Sequence, residues 1–153
     1  MKIGYILIGI AILVNLEVKA QLKVTNFEDL DSCMQVEKRQ IMVFLCTDWC
    51  RYCQKMKQST FKDSEVVNII NSNFYFLALN GDNQKEITFN QQVFKFRPNG
   101  FNSGIHELAL YFTGKNNKVS YPSIYILDDK YQILQSRSSL IETEHFKVWI
   151  DKS

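Results

Sequence analysis

Nowhere does this 153-residue sequence hold the ~20 consecutive apolar residues that a membrane-spanning helix requires. The longest apolar run, residues 3–16, is broken only by Asn15 and follows a lone Lys2. Val18 and Ala20 place small residues where a signal peptidase reads them, so cleavage before Gln21 is expected and an uncleaved anchor is disfavoured. No cysteine follows the run to accept a lipid. The chain also lacks charge of one sign, with 18 basic against 16 acidic residues. It has no basic stripe interleaved with stacking aromatics, which excludes a nucleic-acid surface. Low-complexity segments and solenoid-length repeats are missing, so neither disorder nor an array is expected. Histidine is scarce: His106 and His145 stand far apart, without a paired-histidine metal motif, and both read as structural or surface residues.

What is present is a core-forming composition with 11 Phe and 7 Tyr, and four cysteines: Cys33, Cys46, Cys50 and Cys53. Residues 1–20 read as a signal peptide and residues 21–153 as one exported, periplasmic domain of ordinary size. In an oxidising compartment four cysteines suit two structural bridges. Three of them, however, fall within residues 46–53, and a bridge over two intervening residues closes too small a loop to stabilise a fold. The spacing is a redox or metal signal.

Hydrophobic patterning supplies a frame. Residues 26–37 suit a helix with Phe27, Leu30 and Met34 on one face. Residues 41–46 form a continuous apolar run, as a strand buried on both faces requires. A turn through Thr47, Asp48 and Trp49 leads into a helix starting near Cys50. Asp63 and Ser64 open another helical segment carrying Val66, Val67, Ile69 and Ile70, and residues 74–79 suit a second strand stopped by Asn80-Gly81-Asp82. Strand, helix, strand at this spacing predicts a parallel pair. Residues 123–127 and 131–135 follow as an antiparallel hairpin, and residues 142–150 as a closing amphipathic helix. This is an α/β chain with a central mixed sheet flanked by helices. Residues 80–117 exceed what that scheme needs. They hold a small hairpin around Asn90-Gln91-Gln92, a short helix at 104–112 and a polar turn at 114–117.

A helix N-terminus presents unpaired N–H groups and partial positive charge, and both stabilise an anion placed there. The thiolate is the nucleophile in disulfide exchange, and a free thiol titrates near ~8.5. Cys50, at the strand-to-helix junction beside Arg51, Lys55 and Lys57, is the candidate nucleophile. Cys53, one turn deeper, is the candidate resolving thiol. The chemistry needs no metal and no cofactor beyond these two sulfurs.

Trp49-Cys50-Arg51-Tyr52-Cys53 after an apolar strand, with a late Tyr121-Pro122 before another strand, resembles the thioredoxin superfamily. Residues 47–66 are similar to the C-terminal thioredoxin-like domain of the DsbD thiol reductase and to small exported thioredoxin-like proteins. The resemblance implies a thioredoxin-like fold with an insertion at 80–117 before a cis Pro122. It implies a redox-active Cys50–Cys53 disulfide tuned by Trp49, Arg51 and Tyr52. Tyr121 and Pro122 would help bind substrate. The expected partners are disulfide-containing proteins and a membrane thiol reductase as electron donor, and the expected state is a monomer.

Two positions depart from the family pattern. Phe44 stands where a buried acid is usual, six residues before Cys50, and Lys57 replaces an acid seven residues after it. Both changes make the local field more positive, which favours a Cys50 thiolate and a more oxidising disulfide. Cys46 and Cys33 read as small buried hydrophobes, pairing with each other only if their Cα atoms approach within about 7 Å. The alternative function is a thioredoxin-fold copper or zinc module using Cys46, Cys50 and a histidine.

Overall fold

The computed structural model describes residues 20–101, 103–114 and 118–152. The signal-peptide expectation falls almost wholly on residues outside these, as does most of the polar turn expected at 114–117. Among the described residues no helix is long and apolar enough to cross a membrane.

Helix α1 (Phe27–Val36) leads into strand β1 (Gln40–Cys46), helix α2 (Arg51–Gln58), a 3-10 turn (Thr60–Lys62), helix α3 (Ser64–Asn73) and strand β2 (Phe74–Asn80). β1 and β2 pair in parallel, with Phe44 opposite Ala78 and Cys46 opposite Asn80. The Asp63 carboxylate caps α3, accepting the N–H groups of Glu65 and Val66, which satisfies donors that the first helical turn leaves orphaned. After the 80–117 region come strand β7 (Ser123–Leu127), antiparallel to β1, then strand β8 (Ile133–Arg137) and helix α5 (Thr143–Ile150). The sheet order is β2-β1-β7-β8.

The alternation of side chains along β1 divides the core. Met42, Phe44 and Cys46 face one way and pack with Cys50, Cys53, Met56, Val66, Ile70 and Phe146 from α2, α3 and α5. Ile41, Val43 and Leu45 face the other way and pack with Leu30 of α1 and with Leu108, Ala109 and Phe112. Helices on both faces explain why every residue of the 41–46 run is buried and apolar.

Between β2 and β7 the chain forms two hairpins and a helix: β3 (Ile87–Phe89) with β4 (Gln92–Phe94), β5 (Phe96–Gly100) with β6 (Ser103–His106), then α4 (Glu107–Thr113). The first hairpin turns at Asn90 and Gln91, both at positive φ, as a two-residue hairpin loop requires.

Two expectations need correcting. The helix expected at 104–112 begins only at Glu107, because residues 103–106 are strand β6. His106 makes the switch, its Nδ1 accepting the Leu108 N–H at 3.2 Å and so capping α4. The strand expected at 131–135 starts two residues later. Asp128 holds a longer turn by accepting the N–H groups of Lys130 and Gln132. Tyr131 sits there at φ 64° and donates its hydroxyl to the Asp31 carboxylate of α1.

Candidate redox site

The site forms where β1 ends and α2 begins. The Cys50 N–H reaches the Thr47 carbonyl at 3.4 Å, a tight turn that sets Cys50 as the N-cap of α2. Its sulfur accepts the Cys53 N–H at 3.1 Å, the role a serine or aspartate oxygen fills at other helix starts. Cys50 and Cys53 are disulfide-bonded with Cα atoms 5.2 Å apart. Cys50 is 5% exposed and Cys53 0%. Of the pair, Cys50 is therefore the residue that retains a path to solvent.

Arg51 and Tyr52 occupy the first turn of α2, both exposed. Trp49 immediately precedes the N-cap of α2. It is 67% exposed, its indole N–H donates to the Asp82 carboxylate at 2.7 Å, and its ring meets Tyr121 edge-on with centroids 5.6 Å apart. Tyr121 precedes Pro122 through a cis peptide bond, and Pro122 is buried at the start of β7. The Tyr121 phenol is pushed up to about 12, chiefly by burial and further by the Asp82 charge and the Cys46 sulfur.

Asn80, Gly81 and Asp82 complete the rim. Read from sequence alone they are a turn that stops β2. In the fold the Asn80 amide donates to Asp48 at 3.1 Å, and the Gly81 N–H donates to the Cys46 carbonyl at 2.8 Å. A Cβ on Gly81 would stand 2.0 Å from the Tyr121 hydroxyl oxygen, so any side chain here would have to displace the Tyr121 ring. The His106 N–H also donates to the Gly81 carbonyl at 2.8 Å, which ties the hairpins to the rim. Nothing local in Asn-Gly-Asp signals these partners, because they lie twenty-five or more residues away.

Below the disulfide Phe44 fills its position with apolar bulk. It packs edge-on against Phe61 at 4.9 Å and stacks on Phe76 at 6.3 Å. Cys46 is a buried free thiol whose pKa burial pushes up, an effect opposed by the Lys57 ammonium within hydrogen-bonding reach. Cys33 is also free. It lies on α1, on the opposite side of the sheet from Cys46, so these two cysteines do not pair. Nor does the fold assemble the metal set considered above. Both nitrogens of His106 are engaged, one with the Leu108 N–H and the other with the Lys85 carbonyl, while His145 is exposed on α5. Among the described residues no group of three His, Cys, Asp or Glu side chains is placed to hold an ion.

The model of a family described as thioredoxin-like matches residues 25–128. The chain belongs to the thioredoxin-like family. Among solved structures, a DsbH oxidoreductase is 13% identical over 87% of this chain and 84% of its own, with a TM-score of 0.61. A Thermus thermophilus thioredoxin is 16% identical over 86% of each chain at 0.62. A thioredoxin-fold protein from Helicobacter pylori is 18% identical over 74% of this chain and 67% of its own at 0.57. At such identities the likeness concerns the fold. No curated protein matches the sequence. The thioredoxin-like fold with its bonded Cys50–Cys53 pair makes this chain a thiol–disulfide oxidoreductase, with disulfide-containing proteins as its general substrate class.

Proposed function

We propose that the protein is exported to the periplasm, freed of residues 1–20, and there reduces or exchanges disulfides of extracytoplasmic proteins through Trp49-Cys50-Arg51-Tyr52-Cys53. The observation that carries the reading is the asymmetry of the two sulfurs. Cys50 caps α2 and accepts a backbone N–H, whereas Cys53 is sealed in the core. In the reduced protein the Cys50 thiolate attacks one sulfur of a substrate disulfide, forming a mixed disulfide and releasing one substrate thiolate. The Cys53 thiol passes its proton to the substrate thiolate just released and attacks the Cys50 sulfur. That re-forms the Cys50–Cys53 bond and releases the second substrate thiolate. Two electrons pass from the dithiol to the substrate, and a membrane thiol reductase returns them by the same exchange in reverse.

Trp49, Tyr52 and Arg51 offer an exposed aromatic and cationic surface around Cys50, and the backbone at Tyr121-Pro122 takes the substrate chain beside it. The likeness of residues 47–66 to the DsbD domain supports a donor of that kind, and the protein acts as a monomer. The test is trapping. Cys50→Ser should abolish reduction of insulin by the full chain, and Cys53→Ser should accumulate mixed disulfides stable to non-reducing electrophoresis. Alkylation of the reduced protein at mildly acidic pH should label Cys50 first. First labelling of Cys53 or Cys46 contradicts the assignment.

A further inference from the structure

On the α2 side of the sheet the core is left open beside β2. The chain entering the domain touches this strand's outer edge through the Val24–Phe76 bridge and the Thr25 N–H on the Phe76 carbonyl. Opposite Phe44 the strand carries only Ala78, whose methyl group is exposed although residues 76, 77 and 79 are buried. The result is a groove of about 480 Å³, within the size range of small-molecule sites. Phe44, Phe61 and Phe76, packed on one another, line it together with Ala20, Gln21, Leu22 and Val24 of the entering chain.

Lys57 and Lys62 line the same groove. Lys55, on the same helix, is paired with Glu142. Among the described residues Lys57 and Lys62 make no ion pair, and Lys57 meets only the Cys46 sulfur. An apolar lining with two uncompensated cations has a defined complement: a tail that takes apolar surface out of water and a carboxylate head that meets both ammonium groups.

We propose that this groove binds a small amphipathic anion of the medium-chain carboxylate class, with its tail over Phe44, Phe61 and Phe76 and its head between Lys57 and Lys62. The site is separate from the exposed rim of Trp49 and Tyr52 and stands whether or not the redox roles assigned above hold. The experiment is a titration of the isotopically labelled full chain with sodium decanoate below its micellar range, read by amide chemical shifts. Decyltrimethylammonium serves as the tail-matched cation.

Decanoate should give saturable shifts at Leu22, Lys57 and Ala78, and the cation should give none there. Lys57→Gln with Lys62→Gln should weaken decanoate about tenfold, as expected for losing two partly exposed charge contacts. Ala78→Phe, which fills the groove, should remove binding while the spectrum stays dispersed. If that variant fails to fold, the lysine pair and the cation still decide. Four results overturn the proposal: no saturable shift, equal binding of the cation, decanoate binding indifferent to the lysines, or a ligand-independent dimer seated on this face.

Discussion

Phe44 is the residue whose chemistry most distinguishes this site. A carboxylate there would repel a thiolate above it and would accept the proton of the resolving cysteine. An aromatic ring packed on Phe61 and Phe76 does neither. With Lys57 contributing positive charge nearby, the reduced Cys50 is expected to titrate below the free-thiol value, within the ~3.5–7.5 range of activated cysteines. The disulfide should be more oxidising than the ~−270 mV of thioredoxin. Thiolate absorbance against pH, with glutathione equilibration alongside, measures both. Phe44→Asp should move both towards thioredoxin, at a stability cost of about 3–5 kcal/mol for the lost ring alone. A wild-type Cys50 that titrates at or above ~8.5 removes the argument. Gly81 makes a second test at this scale. Gly81→Ala must displace the Tyr121 hydroxyl, and overpacking of this kind costs about 1–3 kcal/mol. The Trp49 emission should shift with it, since Tyr121 and Asp82 hold that indole. Unchanged emission and stability would mean that the rim yields freely.

Among the elements, α4 depends on the protonation of one side chain. The His106 ring accepts the Leu108 N–H through Nδ1, a bond only the neutral imidazole with its proton on Nε2 can make, and burial holds its pKa below the usual value. In the unfolded chain the ring titrates near ~6.5. As pH falls, the unfolded state therefore takes up the proton first. The stability contributed by His106 is complete above ~6.5 and is lost as pH falls from there towards the lower folded value. Urea midpoints measured from pH 7.5 to 5.5 should fall more for wild type than for His106→Asn, which keeps a capping side chain without titrating. Parallel curves would assign the acid sensitivity elsewhere. His106→Ala should cost about 1 kcal/mol at neutral pH as a lost cap.

His106 also shows what a sequence conceals. The strands of the sheet and α1, α2, α3 and α5 are legible because each carries its own signal: a doubly buried apolar run, a cap such as Asp63, an amphipathic stripe. The Cys50–Cys53 pair is legible for the same reason, since its meaning lies in spacing. The hairpin β5–β6 is not, because its residues are mostly exposed and lack alternation. At Gly104 the Phe96 ring and the Arg97 carbonyl crowd the space that a Cβ would occupy. The helix after it inherits apolar residues that fit a longer helix equally well, and only the His106 cap decides where it starts. The rim formed by Asn80, Gly81 and Asp82 is hidden for another reason: its partners are brought together by the sheet, and no local pattern encodes them.

For the molecule as a whole, β1 acts as a partition. Its even-numbered residues belong to the redox side with α2, α3 and α5, and its odd-numbered residues to the side built by α1, α4 and the β3–β4 hairpin. Phe44 touches Phe61 and Phe76, whereas Phe112 touches Phe89, Tyr111 and Tyr125, so the two rings share no aromatic neighbour. Energetic coupling requires contact or a shared partner. The stability losses of Phe44→Leu and Phe112→Leu should accordingly sum to within about 0.5 kcal/mol in the double variant, while Phe44→Leu and Phe61→Leu should depart from additivity by more than that. Chemical denaturation of the five single and double variants against wild type measures this directly, and strong coupling across the sheet would refute it. Where additivity holds, the two halves of the core accumulate substitutions independently. The packing on the side bearing the hairpins is then free to diverge without retuning the cysteines on the other, so long as the His106–Gly81 contact to the rim is kept.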